Sequence, residues 1–206
     1  MKIDISADLK GLTRQLNYMQ REQVPFAASM ALNNLAADVA NEITRQMENK
    51  LDNPTPFTLK AYQFRPGTFR GKRANKQNLT VVIDPAEIQK SYLKYQIEGG
   101  IRFPKQAAIL VPTDKVAKNQ YGNLTRAKRK QLIQGKGKFF SAGQREKKTP
   151  GIYLRTPTGI EPQAYYVREA KYKVRLPVDK IASGVVSSRF QKRFREALAR
   201  AMATAK

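Results

Sequence analysis

The feature that most constrains this chain is a long helical pattern fenced by prolines. Pro25 suits the first turn of a helix, where a missing N–H costs nothing. After it Ala28, Leu32, Leu35, Val39 and Ile43 recur along one face, and many alanines favour helix and close packing. Asn53-Pro54-Thr55-Pro56 cannot continue that helix, so it ends before Pro54. Upstream, Ile5, Leu9, Leu12, Leu16 and Met19 fall at i, i+4, i+7, i+11 and i+14, one apolar stripe on a shorter helix capped by Ser6. So close to a terminus, that stripe is a candidate surface for subunit packing.

Beyond Pro56 the pattern turns extended. Tyr62-Gln63-Phe64 and residues 79–83 read as strands, with a basic loop from 67 to 78 between them. Leu93, Tyr95 and Ile97 alternate before a turn at Gly99-Gly100, although a short helix fits residues 91–97 as well. An apolar run at 107–111 stops at Pro112. Residues 113–150 are the least regular, and Gly122, Gly135, Gly137 and Gly143 make them read as a long flexible loop. Residues 151–155, 164–169 and 172–176 read as antiparallel strands, with Pro157-Thr158-Gly159 as a turn. A last helix over about 185–205 gathers Phe190, Phe194, Ala197, Leu198 and Ala201 on one face, with Arg189, Lys192, Arg193 and Arg200 assigned to the opposite one. There is no internal repeat.

The expectation is therefore an α+β fold: N-terminal helices, an antiparallel sheet with long basic loops, and a C-terminal amphipathic helix. Residues 1–57 would form a helical arm and 58–206 a basic α+β domain, or the two would form one domain. No apolar run approaches the ~20 residues that cross a bilayer, and residues 1–9 are too polar for a signal peptide.

Charge sharpens the picture. The chain has 206 residues with 39 Lys+Arg against 16 Asp+Glu, a net +23. Residues 1–57 hold seven acidic and six basic side chains, so all the excess follows them. Such a field favours polyanions without specifying a fold. Two clusters are candidate contacts to DNA or to an acidic partner: Arg65, Arg70, Lys72, Arg73 and Lys76, then Arg126, Lys128, Arg129, Lys130, Lys136 and Lys138. The bland alternative is a solvated basic surface. Interleaved aromatics at Tyr62, Phe64 and Phe69, at Phe139 and Phe140, and at Tyr165, Tyr166 and Tyr172 would suit base stacking, but fit core and strand positions better.

The chemistry is pruned by what is missing. With no Cys and no His, thiolate nucleophiles, Cys-ligated zinc and the commonest general base are excluded. Asp84, Glu87, Glu98 and Asp114 would be the carboxylates of a metal nuclease, yet the acidic-x-Lys partner on a following strand is absent. Gly99-Gly100 with Lys105 lacks the spacing of a phosphate-binding loop. No enzyme, cofactor or metal is expected.

The order of motifs is familiar. Val24-Pro25-Phe26-Ala27-Ala28-Ser29-Met30-Ala31-Leu32-Asn33 opens the long helix, and Thr55-Pro56-Phe57-Thr58-Leu59-Lys60-Ala61 follows. A strand ending in Asp84 precedes Tyr92-Leu93-Lys94-Tyr95-Gln96-Ile97-Glu98-Gly99-Gly100-Ile101-Arg102. A Val111-Pro112 step leads to Tyr121-Gly122-Asn123-Leu124, and the chain closes with Pro177-Val178 and a basic helix. This order resembles the minor tail and tail-completion proteins of tailed phages, the family typified by the lambda minor tail protein Z. The resemblance spans most of residues 24–200, and no single motif in it is catalytic. It implies a structural virion protein at the head-proximal end of the tail, in the neck, made in the host cytoplasm. Its implied partners are further copies of itself in a ring, the tail terminator or tube, the head connector, and DNA without sequence preference. The alternative that composition permits is a cellular nucleic-acid-binding protein of ribosomal or nucleoid type.

Overall fold

The long helix forms where the prolines allow it. A computed structural model describes residues 19–64, 71–104, 107–143 and 149–204. A π-helical turn, Met19–Gln23, leads into α1, Val24–Lys50. At its end Asn53 takes a left-handed φ of 44°, a conformation asparagine tolerates better than most residues, and Pro54 prevents any return to helix. The chain then forms α2 (Pro56–Leu59), which tightens into a 3₁₀ turn at Lys60–Tyr62. Tyr62 thus closes a helical turn rather than opening a strand, and Phe64 follows it in an irregular segment; both are buried. A two-residue ladder follows, β1 (Gly71–Lys72) against β2 (Val82–Ile83), shorter than the five-residue strand expected at 79–83. Then come α3 (Glu87–Ile97), β3 (Gly100–Arg102), β4 (Ile109–Pro112), α4 (Arg126–Ile133), β5 (Phe139–Ala142), β6 (Gly151–Thr156), β7 (Gly159–Val167), β8 (Ala170–Tyr172) and α5 (Val178–Ala203). Residues 91–97 are helical, which settles the choice their alternation left open. The class is α+β, with antiparallel sheets as expected.

Contacts divide the chain into two units, and not at residue 57. One unit joins residues 1–50, 56–91 and 176–206; the other joins 51–55 and 92–175. The reason is α5, which returns to α1.

In the first unit α1 and α5 are antiparallel, because Ala27 and Ala31 meet Ala197 and Ala201 while Asp38 meets Arg193. These four alanines are buried, with Phe26, Met30, Phe194 and Leu198 packed around them. The buried stripe of α1 is Ala27, Ala31, Leu35, Val39, Ile43 and Met47; Ala28 and Leu32 sit half-buried at its edge. Lower on α1, Ala36 and Ala40 receive Phe64, Val81 and Ile83. Asn33 pins the intervening segment: its amide donates to the Ala74 carbonyl (2.9 Å) and accepts from the Ala74 N–H (3.1 Å). Helix α5 starts seven residues earlier than expected, with Pro177 before it and Asp179 in the first turn, where a carboxylate favours the helix dipole.

The second unit is a four-stranded antiparallel sheet, β4-β7-β6-β5, with a separate β3-β8 pair. Residues 173–176, expected as strand, carry no ladder; Arg175 instead donates its N–H to Gln96 and its side chain to Asp52. At Gly151 strands β6 and β7 approach so closely that a Cβ would collide with the Ala164 carbonyl. Ile152 of β6 packs with Val116 and with Leu132 of α4, among Leu110, Leu124, Phe139 and Tyr166.

Candidate functional site

The cationic segment at 126–130 is a helix, not a flexible loop. The Thr125 hydroxyl caps it by accepting from the Lys128 N–H at 3.2 Å, and Leu132, 1 % exposed, ties it to the sheet. Apart from Leu132 the segment has no apolar stripe, which is why periodicity misses it. The following turn is ordered too: Gly135 and Gly137 adopt φ of 61° and 76°, which a residue with a Cβ resists.

Helical geometry sorts the four cations. At about 100° per residue, Arg126, Arg129 and Lys130 fall within an arc of roughly 100°, while Lys128 lies on the side of Leu132. Accordingly Lys128 is half-buried with its ammonium 4.8 Å from the Phe139 ring centre, and the other three are exposed. Lys136 and Lys138 are exposed in the turn after α4. None of Arg126, Arg129, Lys130, Lys136 and Lys138 has a carboxylate within 4 Å among the described residues. Like charges at i and i+4, as in Arg126 and Lys130, cost a helix about 0.2–0.5 kcal/mol, so this face is one that a bound polyanion would relieve.

The earlier cluster behaves differently. Arg65 and Arg70 lie outside the described residues. Lys72 is exposed on β1, but Arg73 sits over the Phe64 ring at 5.0 Å, and Lys76 pairs with Glu22 at 2.9 Å beside Phe26. These two are occupied within their own unit. Among the expected subunit-packing residues, Ile5, Leu9, Leu12 and Leu16 lie outside the described residues, and Met19 opens the π-helical turn half-buried.

The interleaved aromatics divide: Tyr62 and Phe64 are in the core, Phe139, Phe140, Tyr165, Tyr166 and Tyr172 are half-buried, and Phe69 lies outside the described residues. Tyr62, Phe64 and Tyr153 are buried, and burial pushes the Tyr62 hydroxyl up to about 12, aided by Asp84 and Asp179. The four carboxylates considered for a metal do not converge: Asp84 and Glu87 both approach Lys90, and Asp114 pairs with Lys118. Among the described residues no group of acidic side chains is arranged to hold a metal ion. No described helix is long and apolar enough to cross a membrane.

Two arrangements escape the sequence reading. The sequence pattern assigns Arg193 to the solvent side of α5, but it lies only about 40° from Ala197 on the helical wheel. It donates from Nε and Nη2 to both oxygens of Asp38 at 2.8 Å, with Arg189 at 3.4 Å. The Arg193 hydrogen bonds, and then the Arg193 and Arg189 charges, outweigh burial and hold the Asp38 carboxyl below its usual range. The second is a cleft of about 580 Å³ in the sheet unit, to which Arg102 and Arg129 contribute. Arg102 is far from the basic clusters in sequence, so charge counting does not find it.

No protein-family model, curated protein or solved structure matches this chain.

Proposed function

We propose that the protein is a non-enzymatic structural component of a tailed phage that completes the tail at its head-proximal end, joins it to the head connector and positions the DNA end. The tail assignment rests on the order of motifs along residues 24–200. One observation supports the polyanion-facing part: Arg126, Lys130, Lys136 and Lys138 form an exposed cationic face without acidic partners among the described residues. Phosphate contacts from such a face position DNA without reading its sequence. The helix pair α1–α5 supplies a second, firmly packed unit suited to holding copies of the chain, the tail terminator or the connector.

Epitope labelling of purified tailed particles tests the location. Label at the head–tail junction supports the assignment. A protein missing from particles and recovered on host RNA or nucleoid overturns it in favour of a cellular nucleic-acid-binding role.

A further inference from the structure

Strand β4 is the outer strand of its sheet, and its free edge runs beside the 580 Å³ cleft. The register fixes which backbone groups face outward. Thr113 donates its N–H to Gln163, so Thr113, Val111 and Ile109 point toward β7, and Leu110 points away. Tyr166, opposite Leu110, agrees, because its N–H goes to Pro150 on the other side. The Leu110 N–H and C=O therefore have no strand partner among the described residues. The cleft beside them has an aliphatic floor of Ile109, Leu110 and Leu124, walls of Pro104 and Pro112, and two guanidiniums, Arg102 and Arg129, with no carboxylate among its described lining. Phe103, between two lining residues, is 64 % exposed.

We propose that this edge and cleft bind an extended acidic segment of a partner protein by strand addition. Each feature answers one need of such a ligand. The outward Leu110 groups pair its backbone, the aliphatic floor takes one side-chain row, and Arg102 and Arg129 meet carboxylates on the segment. A nucleic-acid strand fits less well: no aromatic ring is among the cleft's described lining for base stacking, and a phosphate backbone has no use for a sheet edge. The proposal separates Arg129 from Arg126 and Lys130, the residues assigned to DNA, and does not depend on that assignment.

The probe is a fluorescein-labelled octapeptide of alternating valine and glutamate, titrated into the full-length protein. Saturable binding is expected, weakening at least tenfold when glutamine replaces glutamate or when alternate peptide amides are N-methylated. The Arg102→Gln/Arg129→Gln variant should reproduce the first loss, whereas Arg126→Gln/Lys130→Gln should not. Hydrogen exchange at the Leu110 amide should slow at least tenfold on binding. N-methylation without effect, or no protection at Leu110, overturns strand addition. A single-stranded oligonucleotide that displaces the peptide and is itself lost with Arg102 and Arg129 assigns the cleft to nucleic acid and overturns the proposal. DNA binding that depends on Arg126 and Lys130 stands or falls separately, so the two failures are distinguishable.

Discussion

Asp38 is a carboxylate 10 % exposed between two helices, and it is stable there because Arg193 brings two parallel N–H donors to it. Removing the donor leaves a desolvated charge, only partly served by Arg189 at 3.4 Å. Arg193→Ala should therefore lower stability by about 1–3 kcal/mol, and Lys192→Ala, at an exposed position one residue away, by under about 0.5 kcal/mol. Chemical denaturation of the two variants checks this; equal effects would contradict the pairing. The same site sets an acid limit. Asp38 is held low mainly by Arg193, and Glu42 is lowered from 4.5 to about 2 mainly by the Arg45 hydrogen bond. Both carboxyls are depressed in the folded state, so their contribution is complete above pH of about 4.5 and is lost as pH falls toward about 2. Glu42 is largely covered while Arg45 is exposed, so solvent screens that pair in part. The melting temperature should fall across this window, and Asp38→Asn should flatten the fall while lowering stability at neutral pH. An Asp38→Asn variant with the wild-type acid profile would contradict the assignment.

At the scale of elements, what was legible depended on how much apolar volume marks a face. The span of α1 was readable because prolines punctuate it, but its phase was not fully so. The large side chain of Leu32 draws the eye from Ala27 and Ala31, which carry little hydropathy yet are buried against Ala197 and Ala201 of α5. Small residues are needed there because both helices present alanine, and any added volume pushes the backbones apart. Ala31→Leu should cost about 1–3 kcal/mol by overpacking, while Asn34→Leu, on the exposed face, should cost much less; thermal melts that rank them the other way would contradict the packing. The α4 helix was illegible for the opposite reason. It is cationic, buries one leucine, and is announced only by Thr125 at its cap. Thr125→Ala should cost about 1 kcal/mol and loosen α4 first, seen as faster hydrogen exchange at the Lys128 amide. The first strand and the turn of the hairpin at residues 151–167 are legible because turn residues and β-formers agree, but β7 runs over Gly159–Val167 and not over 164–169, and Pro162 with the bulge beside it gives no sequence signal.

Across the whole molecule, linear charge counting and the fold disagree instructively. Residues 1–57 are nearly neutral, which suggested an arm distinct from a basic domain. The fold instead joins residues 1–50 with 176–206, so the first unit contains the cationic α5 and spends part of that charge on Asp38 and Glu196. Residues 92–175 hold 19 of the 39 basic side chains and five of the 16 acidic ones, and there Arg126, Arg129 and Lys130 of α4 have no carboxylate within 4 Å among the described residues. Which cations are spent inside the protein and which stay available cannot be read from a count, because pairing depends on contacts between segments as distant as Asp38 and Arg193. The central claim is that the available ones meet a phosphate backbone. Each neutralised phosphate contributes about −0.9 to the slope of log K against log salt on duplex DNA. The decisive measurement is that slope for the full-length protein and for Arg126→Gln/Lys130→Gln, with circular dichroism confirming that the fold is kept. The slope should flatten by about 1.8 if each side chain holds one phosphate, irrespective of DNA sequence. An unchanged slope in the folded variant would show that the α4 face is only solvated, and would contradict the account.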